Sequence, residues 1–258
     1  MRPPRLKKAL GQHHLVSGAL CRPLIEFLEP RGRRVVEVGP GGGVLTAELL
    51  AAGGRVLAWE LDLEWAAELR RRLRQPGLSV VAGDALDLPW GRLPAPALAA
   101  GNLPYGVATA LLADLLPHHA RVQRAAFLVQ REVAERLLAA PGDPAYGSFS
   151  VLAAAYARVV PLGRVRRGSF LPPPKVEGAF VGFELRSPPL PDDAMPGFLA
   201  TVRLAFAQRR KTLRNALAAG WGRERTAAVL AAAGLPGQVR AERLDLAALL
   251  ALHALSRL

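Results

Sequence analysis

Cysteine is nearly absent from this chain: Cys21 is the only one in 258 residues. That excludes an intrachain disulfide and a cysteine-cluster metal site, and it fits a reducing compartment. Long apolar runs are missing too, since none reaches the length of a membrane span. The opening MRPPRLKKALGQHHLVSGALCRPLIEFLEP is basic, but Arg22, Pro23 and Glu26 break its apolar stretch, so it makes a poor signal peptide. A cytoplasmic protein with no membrane partner is the expectation. Acidic residues are scarce: 21 Asp and Glu face 34 Lys and Arg, a formal net charge of +13. The isoelectric point is about 11.2. Such an excess points to a polyanionic partner, unless it reflects a general arginine bias of the source genome. Lysine is rare as well, with only four among those 34 cations. Arginine grips phosphate with two parallel hydrogen bonds, which suits RNA. Hydrophobic residues make up 51% of the chain, enough for a real core and too many for global disorder. The chain shows no internal repeat and no heptad run.

Short apolar runs alternate with helical patterns. RRVVEVG (33–39), RVLAWELD (55–62), LSVVAGDAL (78–86), APALAAGNLPY (95–105) and RAAFLVQ (124–130) read as strands or contain one. VLTAELLAAGG (44–54), LEWAAELRRRLR (63–74), VATALLADLL (107–116) and REVAERLLA (131–139) read as helices. SFSVLAAAYARVV (148–160) and EGAFVGFELR (177–186) look like two further strands. The alternation implies an α/β fold with a largely parallel sheet and helices on both faces. SPPLPDDAMPG (187–197) shifts to Pro and Asp and reads as a linker. Three helical segments follow. The expected division is therefore 1–186, an α/β domain with a basic N-terminal segment, and 187–258, a small all-helical domain.

VEVGPGGGVLT (36–46) is a glycine-rich turn between a strand and a helix. Glycines there allow positive φ and close backbone approach, and the helix start offers free N–H groups. It is not the dinucleotide fingerprint, because the sixth position counted from Gly39 is Val44 and Pro40 follows the first glycine. Glu60 lies 21 residues after Gly39, at the end of the second strand, where an acid can bind both ribose hydroxyls. Asp84 ends the third strand and can accept from an adenine amine, although alone it reads equally well as a helix N-cap. The loop holds no Lys or Arg to grip a pyrophosphate, so an adenosine with a compact group is the ligand suggested. Asn102 and Tyr105 follow the fourth strand, on the same edge. Asn-x-Pro is ordinary turn chemistry. In this company it also makes a grip for an adenine amine: an amide oxygen and a backbone carbonyl accept its two N–H bonds, an aromatic ring stacks on the base, and no strong base is needed.

These segments, in this order, resemble the KsgA family of ribosomal RNA adenine dimethyltransferases. The matching stretches are KKALGQHHL, VEVGPGGGVLT, WELD, GDAL, NLPY, FLVQREVAERL, YGSFSVL, SFLPPPKVEGAFV and AFAQRRKTLRNAL, from about residue 7 to residue 246. The resemblance implies a Rossmann-like sheet dependent on S-adenosylmethionine, plus a helical RNA-binding domain. It implies cofactor contacts at His13, Leu15, Gly39, Gly41, Glu60, Asp84 and Asn102. It implies a catalytic group of Asn102, Leu103 through its carbonyl, Pro104 and Tyr105, with Phe170 stacking on the target base from the opposite side. The implied activity dimethylates the N6 amines of two adjacent adenines near the 3′ end of small-subunit (16S) rRNA within a pre-30S particle. A monomer without a metal ion is expected. GQHHL departs from the family's usual Gly-Gln-Asn-Phe-Leu, with His14 standing in for an aromatic.

Arg209, Arg210, Lys211 and Arg214 recur at helical spacing and, with RVRR (164–167) and the basic start, are expected to bind RNA phosphates. Two competing functions remain. One is a macrolide-resistance methyltransferase acting on large-subunit (23S) rRNA. The other is an RNA-binding assembly factor without turnover. NLPY, PPPKV and RRKTLRN favour the small-subunit enzyme, and intact Glu60, Asp84, Asn102 and Tyr105 argue against lost catalysis.

Overall fold

Apolar runs too continuous to expose a face build the centre of the molecule. The computed structural model describes Pro4, residues 12–104 and residues 106–257. The first part of the chain forms β1 (His14–Leu15), α1 (Arg22–Leu28), β2 (Arg34–Val38), α2 (Val44–Ala51), β3 (Arg55–Glu60), α3 (Leu63–Arg72), β4 (Leu78–Ala82), β5 (Ala97–Asn102), α4 (Ala108–Leu115), β6 (Val122–Gln130) and α5 (Arg131–Leu138). Then come α6 (Ser148–Tyr156), β7 (Ala157–Val165), β8 (Phe170–Leu171), β9 (Gly178–Leu185), α7 (Met195–Phe206), α8 (Leu213–Trp221), α9 (Arg223–Ala232) and α10 (Leu246–Leu255).

Seven strands form one sheet in the order β4-β3-β2-β5-β6-β9-β7. β4 through β6 are parallel, and β9 runs antiparallel to both its neighbours. A parallel sheet is covered on both faces, which explains why β2 reads RVVEV with every residue after the first buried. Val35, Val56, Leu98 and Leu128 share one core with Leu24 and Leu28 of α1, Leu49 of α2 and Leu69 of α3. The alternate residues Val36, Ala99, Ala125 and Phe127 are buried as well and face the other way. Asp62 caps α3 by accepting from the Glu64 N–H at 3.0 Å. From β2 the order runs outward through β3 on one side and β5 on the other. That reversal opens a crevice at the carboxyl ends of β2 and β5. A separate two-stranded ribbon pairs His14 with Leu171 and Leu15 with Phe170.

Contacts divide the chain into two units: residues 1–134 with 157–187, and residues 135–156 with 188–258. The expected cut after residue 186 lies one residue from the crossing at Ser187, but 135–156 belongs with the helices rather than with the sheet. The same stretch corrects a second expectation. Residues 148–160 are not one strand: α6 runs to Tyr156 and β7 begins at Ala157. α6 buries Phe149, Ser150, Val151, Ala153, Ala155 and Tyr156, so its apolar run carries no readable period. It packs on α7 and α10, and the Tyr146 hydroxyl donates to the Leu244 carbonyl at 3.0 Å. β7 is an edge strand whose register shifts at Pro161, where an edge tolerates proline.

The helical unit also revises the basic stretch. Arg209, Arg210 and Lys211 sit in a turn between α7 and α8, not on a helix face, because Thr212 caps α8. Arg209 donates to the carbonyls of Pro144 at 2.6 Å and Tyr146 at 3.2 Å, so its guanidinium braces this unit. Arg210, Lys211 and Arg214 are exposed.

Candidate functional site

Four loops that leave the carboxyl ends of β2, β3, β4 and β5, together with Gln12, His13 and His14, enclose a cavity of about 350 Å³. After β2 the chain turns at Gly39 (φ 64°) and Gly41 (φ 48°). Gly41 has no room for a side chain, because a Cβ there would meet His14 Nε2 at 2.5 Å. His14 packs edge-on against Trp65, ring centres 4.6 Å apart, and burial holds its pKa below the usual histidine range, with His13 and Arg72 adding to the effect. His14 thus fills this position as an imidazole packed edge-on against an aromatic ring.

Glu60 ends β3 with its carboxylate buried. One oxygen accepts from the Gly41 N–H and the other from the Asp62 N–H, each at 2.9 Å. Burial raises its pKa, while those N–H bonds act to lower it. A carboxylate has about four lone-pair sites, so two hydroxyl donors can still be accommodated. Asp84 uses Oδ1 to cap the short turn after β4, accepting from Leu86 N–H at 2.9 Å, and still lines the cavity. Trp59 Nε1 donates to the Asp84 carbonyl at 2.9 Å and ties the two loops.

Asn102 ends β5. Its Nδ2 donates to the His13 carbonyl at 2.6 Å. A carbonyl only accepts, so the amide orientation is settled and Oδ1 remains as an acceptor. Leu103 is buried, and its N–H donates to the Leu128 carbonyl at 3.0 Å, which fixes the Asn102–Leu103 peptide. Pro104 lines the cavity. Tyr105 lies outside the described residues, as does most of KKALGQHHL.

Two expected site residues are elsewhere. Phe170 is 3% exposed and packs in the core with Leu15, its partner in the ribbon. Neither side chain lines the main cavity. Leu15 instead borders a recess of about 30 Å³ behind the glycine turn, with Glu37 and Asn102. The site also uses residues that motif reading passed over. Gly101 lets β5 approach β2, since a Cβ there would stand 2.5 Å from the Val38 carbonyl oxygen. Leu61, Ala85 and Val107 line the cavity, and only their adjacency to motif residues announces them.

The lining holds two carboxylates and no Lys or Arg among the described residues. That charge suits an adenosine bearing a cationic sulfonium and does not suit a pyrophosphate. Among the described residues no group of acids, histidines or cysteines is arranged to hold a metal ion, and no helix is long and apolar enough to cross a membrane.

Comparisons with known proteins agree with this geometry. The family model described as ribosomal RNA adenine dimethylase matches residues 4–254. Ribosomal RNA small subunit methyltransferase A of Acidobacterium capsulatum is 41% identical over 253 residues, covering 95% of this chain and 89% of its own length. The protein of the same name from Deinococcus radiodurans is 40% identical, covering 96% and 84%. A dimethyladenosine transferase structure from Plasmodium falciparum superposes with a TM-score of 0.79 at 24% identity, over 93% of this chain and 96% of that one. The 23S rRNA methyltransferase ErmE gives 0.68 at 25% identity over the whole of both chains.

Proposed function

The chain belongs to the ribosomal RNA adenine dimethylase family, and from that premise we propose that it dimethylates the N6 amines of two adjacent adenines near the 3′ end of small-subunit (16S) rRNA. The observation that carries this reading is the orientation of Asn102, whose nitrogen is held by the His13 carbonyl and whose oxygen is thereby kept as an acceptor. An exocyclic adenine amine is a weak nucleophile because its lone pair is delocalised into the ring. Asn102 Oδ1 and the Leu103 carbonyl accept its two N–H bonds and favour a pyramidal nitrogen. The Leu103 carbonyl is steady because the Leu103 N–H is anchored to Leu128 and Pro104 restricts the residue before it. Tyr105 supplies the stacking platform for a base that has left its helix. Catalysis here is orientation and preorganised polarity.

Bound S-adenosylmethionine supplies the electrophilic methyl group. Glu60 is assigned the ribose hydroxyls, Asp84 the adenine amine, and the turn at Gly39 and Gly41 the close approach of backbone. Arg210, Lys211 and Arg214 are assigned to RNA phosphates. The enzyme acts as a cytoplasmic monomer on a pre-30S particle.

The test is methyl transfer from labelled S-adenosylmethionine to undermethylated small and large subunits, with product nucleosides identified by mass spectrometry. Dimethyladenosine in small-subunit RNA alone is the expected result. Label in large-subunit RNA would move the chain to the activity named for ErmE, and tight binding without label would leave an assembly factor. The relatives at 41% and 40% identity support the small-subunit reading over the one at 25%.

A further inference from the structure

We propose that the opposite, amino-terminal edge of the sheet is a second RNA-binding face, built to hold phosphates of the same ribosomal RNA; the inference rests on the rRNA reading above. Arg34 opens β2 and Arg55 opens β3, and the two are direct partners in register. The Arg33 carbonyl accepts from the Arg55 N–H at 2.8 Å, and Arg31 packs along Gly53 just before β3. On the other side of Arg34, Ala97 opens β5 and donates to the Arg121 carbonyl at 2.9 Å. Five arginines therefore lie along the starts of four neighbouring strands, β3, β2, β5 and β6.

None of the five has a carboxylate partner among the described residues. Their hydrogen bonds go to neutral acceptors: Arg33 to the Gln123 amide oxygen at 2.7 Å, Arg55 to the Gly32 carbonyl at 3.0 Å. Glu29 is taken by Arg124 at 3.1 Å. An open cavity of about 280 Å³ lies between Arg34, Arg55, Gly77 and Ser79. Like charges facing each other on adjacent strands are destabilising. A polyanion relieves that repulsion, and the planar guanidinium fits phosphate. A lipid surface fits less well, because none of the large exposed apolar side chains lies on this edge to serve as an anchor. β2 spans five residues, so the edge lies roughly 16 Å from the catalytic end at about 3.3 Å per residue. RNA held there is a different segment from the target adenines, and the enzyme reads a folded RNA with two faces.

The test is the variant R34Q/R55Q/R121Q, assayed by filter binding to undermethylated small subunits between 50 and 200 mM salt. Each lost phosphate contact removes about 0.7 to 0.9 from the slope of log K against log salt, so a fall of about two is expected. Cofactor affinity and kcat at saturating particle stay at wild-type values, and R34K/R55K/R121K recovers most of the binding. Wild-type slope and affinity in the glutamine variant overturn the proposal. Failure of the functional reading is separable: a wild type whose binding depends on this edge but that never methylates sinks the enzyme assignment and leaves the face standing.

Discussion

Gly101→Ala tests whether the close approach of two strands sets the site. Gly101 precedes Asn102 and pairs in register with Val38, which precedes Gly39. A Cβ at 101 would lie 2.5 Å from the Val38 carbonyl oxygen and 3.3 Å from Leu103 Cδ2. The nearer neighbour is backbone, so no rotamer change relieves it. Carbon–oxygen contacts normally sit at about 3.3 Å or more, so β2 and β5 must part by roughly 0.8 Å at their carboxyl ends. Overpacking of this kind costs about 1–3 kcal/mol. For a chain of this size that lowers Tm by roughly 2–4 °C per kcal/mol. The chemical effect is larger, because the strands being parted carry the glycine turn and the proposed catalytic amide. A misplacement near 1 Å costs on the order of a hundredfold in rate. The assay is kcat for methyl transfer together with a thermal melt. Gly168→Ala is the control, since a Cβ there meets nothing within 4 Å. If G101A melts and turns over like the wild type, the strand-spacing argument is wrong.

Asn102→Ala removes the acceptor, and Asn102→Asp puts an oxygen 2.6 Å from the His13 carbonyl, where a donor now sits. Both should cut kcat by about a hundredfold or more while RNA affinity stays within about threefold; near-normal turnover in either would reject the mechanism. Glu60→Ala should weaken cofactor affinity by roughly 10- to 100-fold, as loss of hydrogen bonds to a charged group implies. An unchanged Kd by calorimetry would reject the ribose assignment. Burial pushes the Glu37 carboxyl up to about 8 from its ordinary 4.5. The folded chain then holds a proton that the unfolded chain has released, so stability is flat below about pH 4.5 and falls as pH rises toward 8. The slope is at most about 1.4 kcal/mol per pH unit. Glu37→Gln should flatten Tm against pH across that window, and a wild-type Tm that does not change across it would contradict the burial argument.

The parallel strands were legible because burial on both faces leaves continuous apolar runs, and RRVVEVG or RAAFLVQ admit few other readings. The run at 148–160 defeated the same logic. Burial all round a helix of small residues produces the same unbroken apolarity, and only packing on α7 and α10 distinguishes α6 from a strand. The ribbon of β1 and β8 was invisible for a different reason. Each strand is two residues long, too short for any period to show.

The site divides along similar lines. Glu60, Asp84 and Asn102 can be placed from sequence because each ends or closely follows a strand of a parallel sheet, and topology alone carries strand ends to one edge. What topology does not carry is which side of a strand a residue presents. Phe170 and Leu171 are neighbours in β8, yet Phe170 is buried in the core and Leu171 is 64% exposed. A slip of one residue exchanges them, and nothing in SFLPPP decides it. The same holds more strongly for Asn102. Its amide is oriented by the main-chain oxygen of residue 13, an atom every amino acid possesses, so no side-chain identity announces the contact. GQHHL can therefore vary at its side chains and still deliver the carbonyl that orients the Asn102 amide.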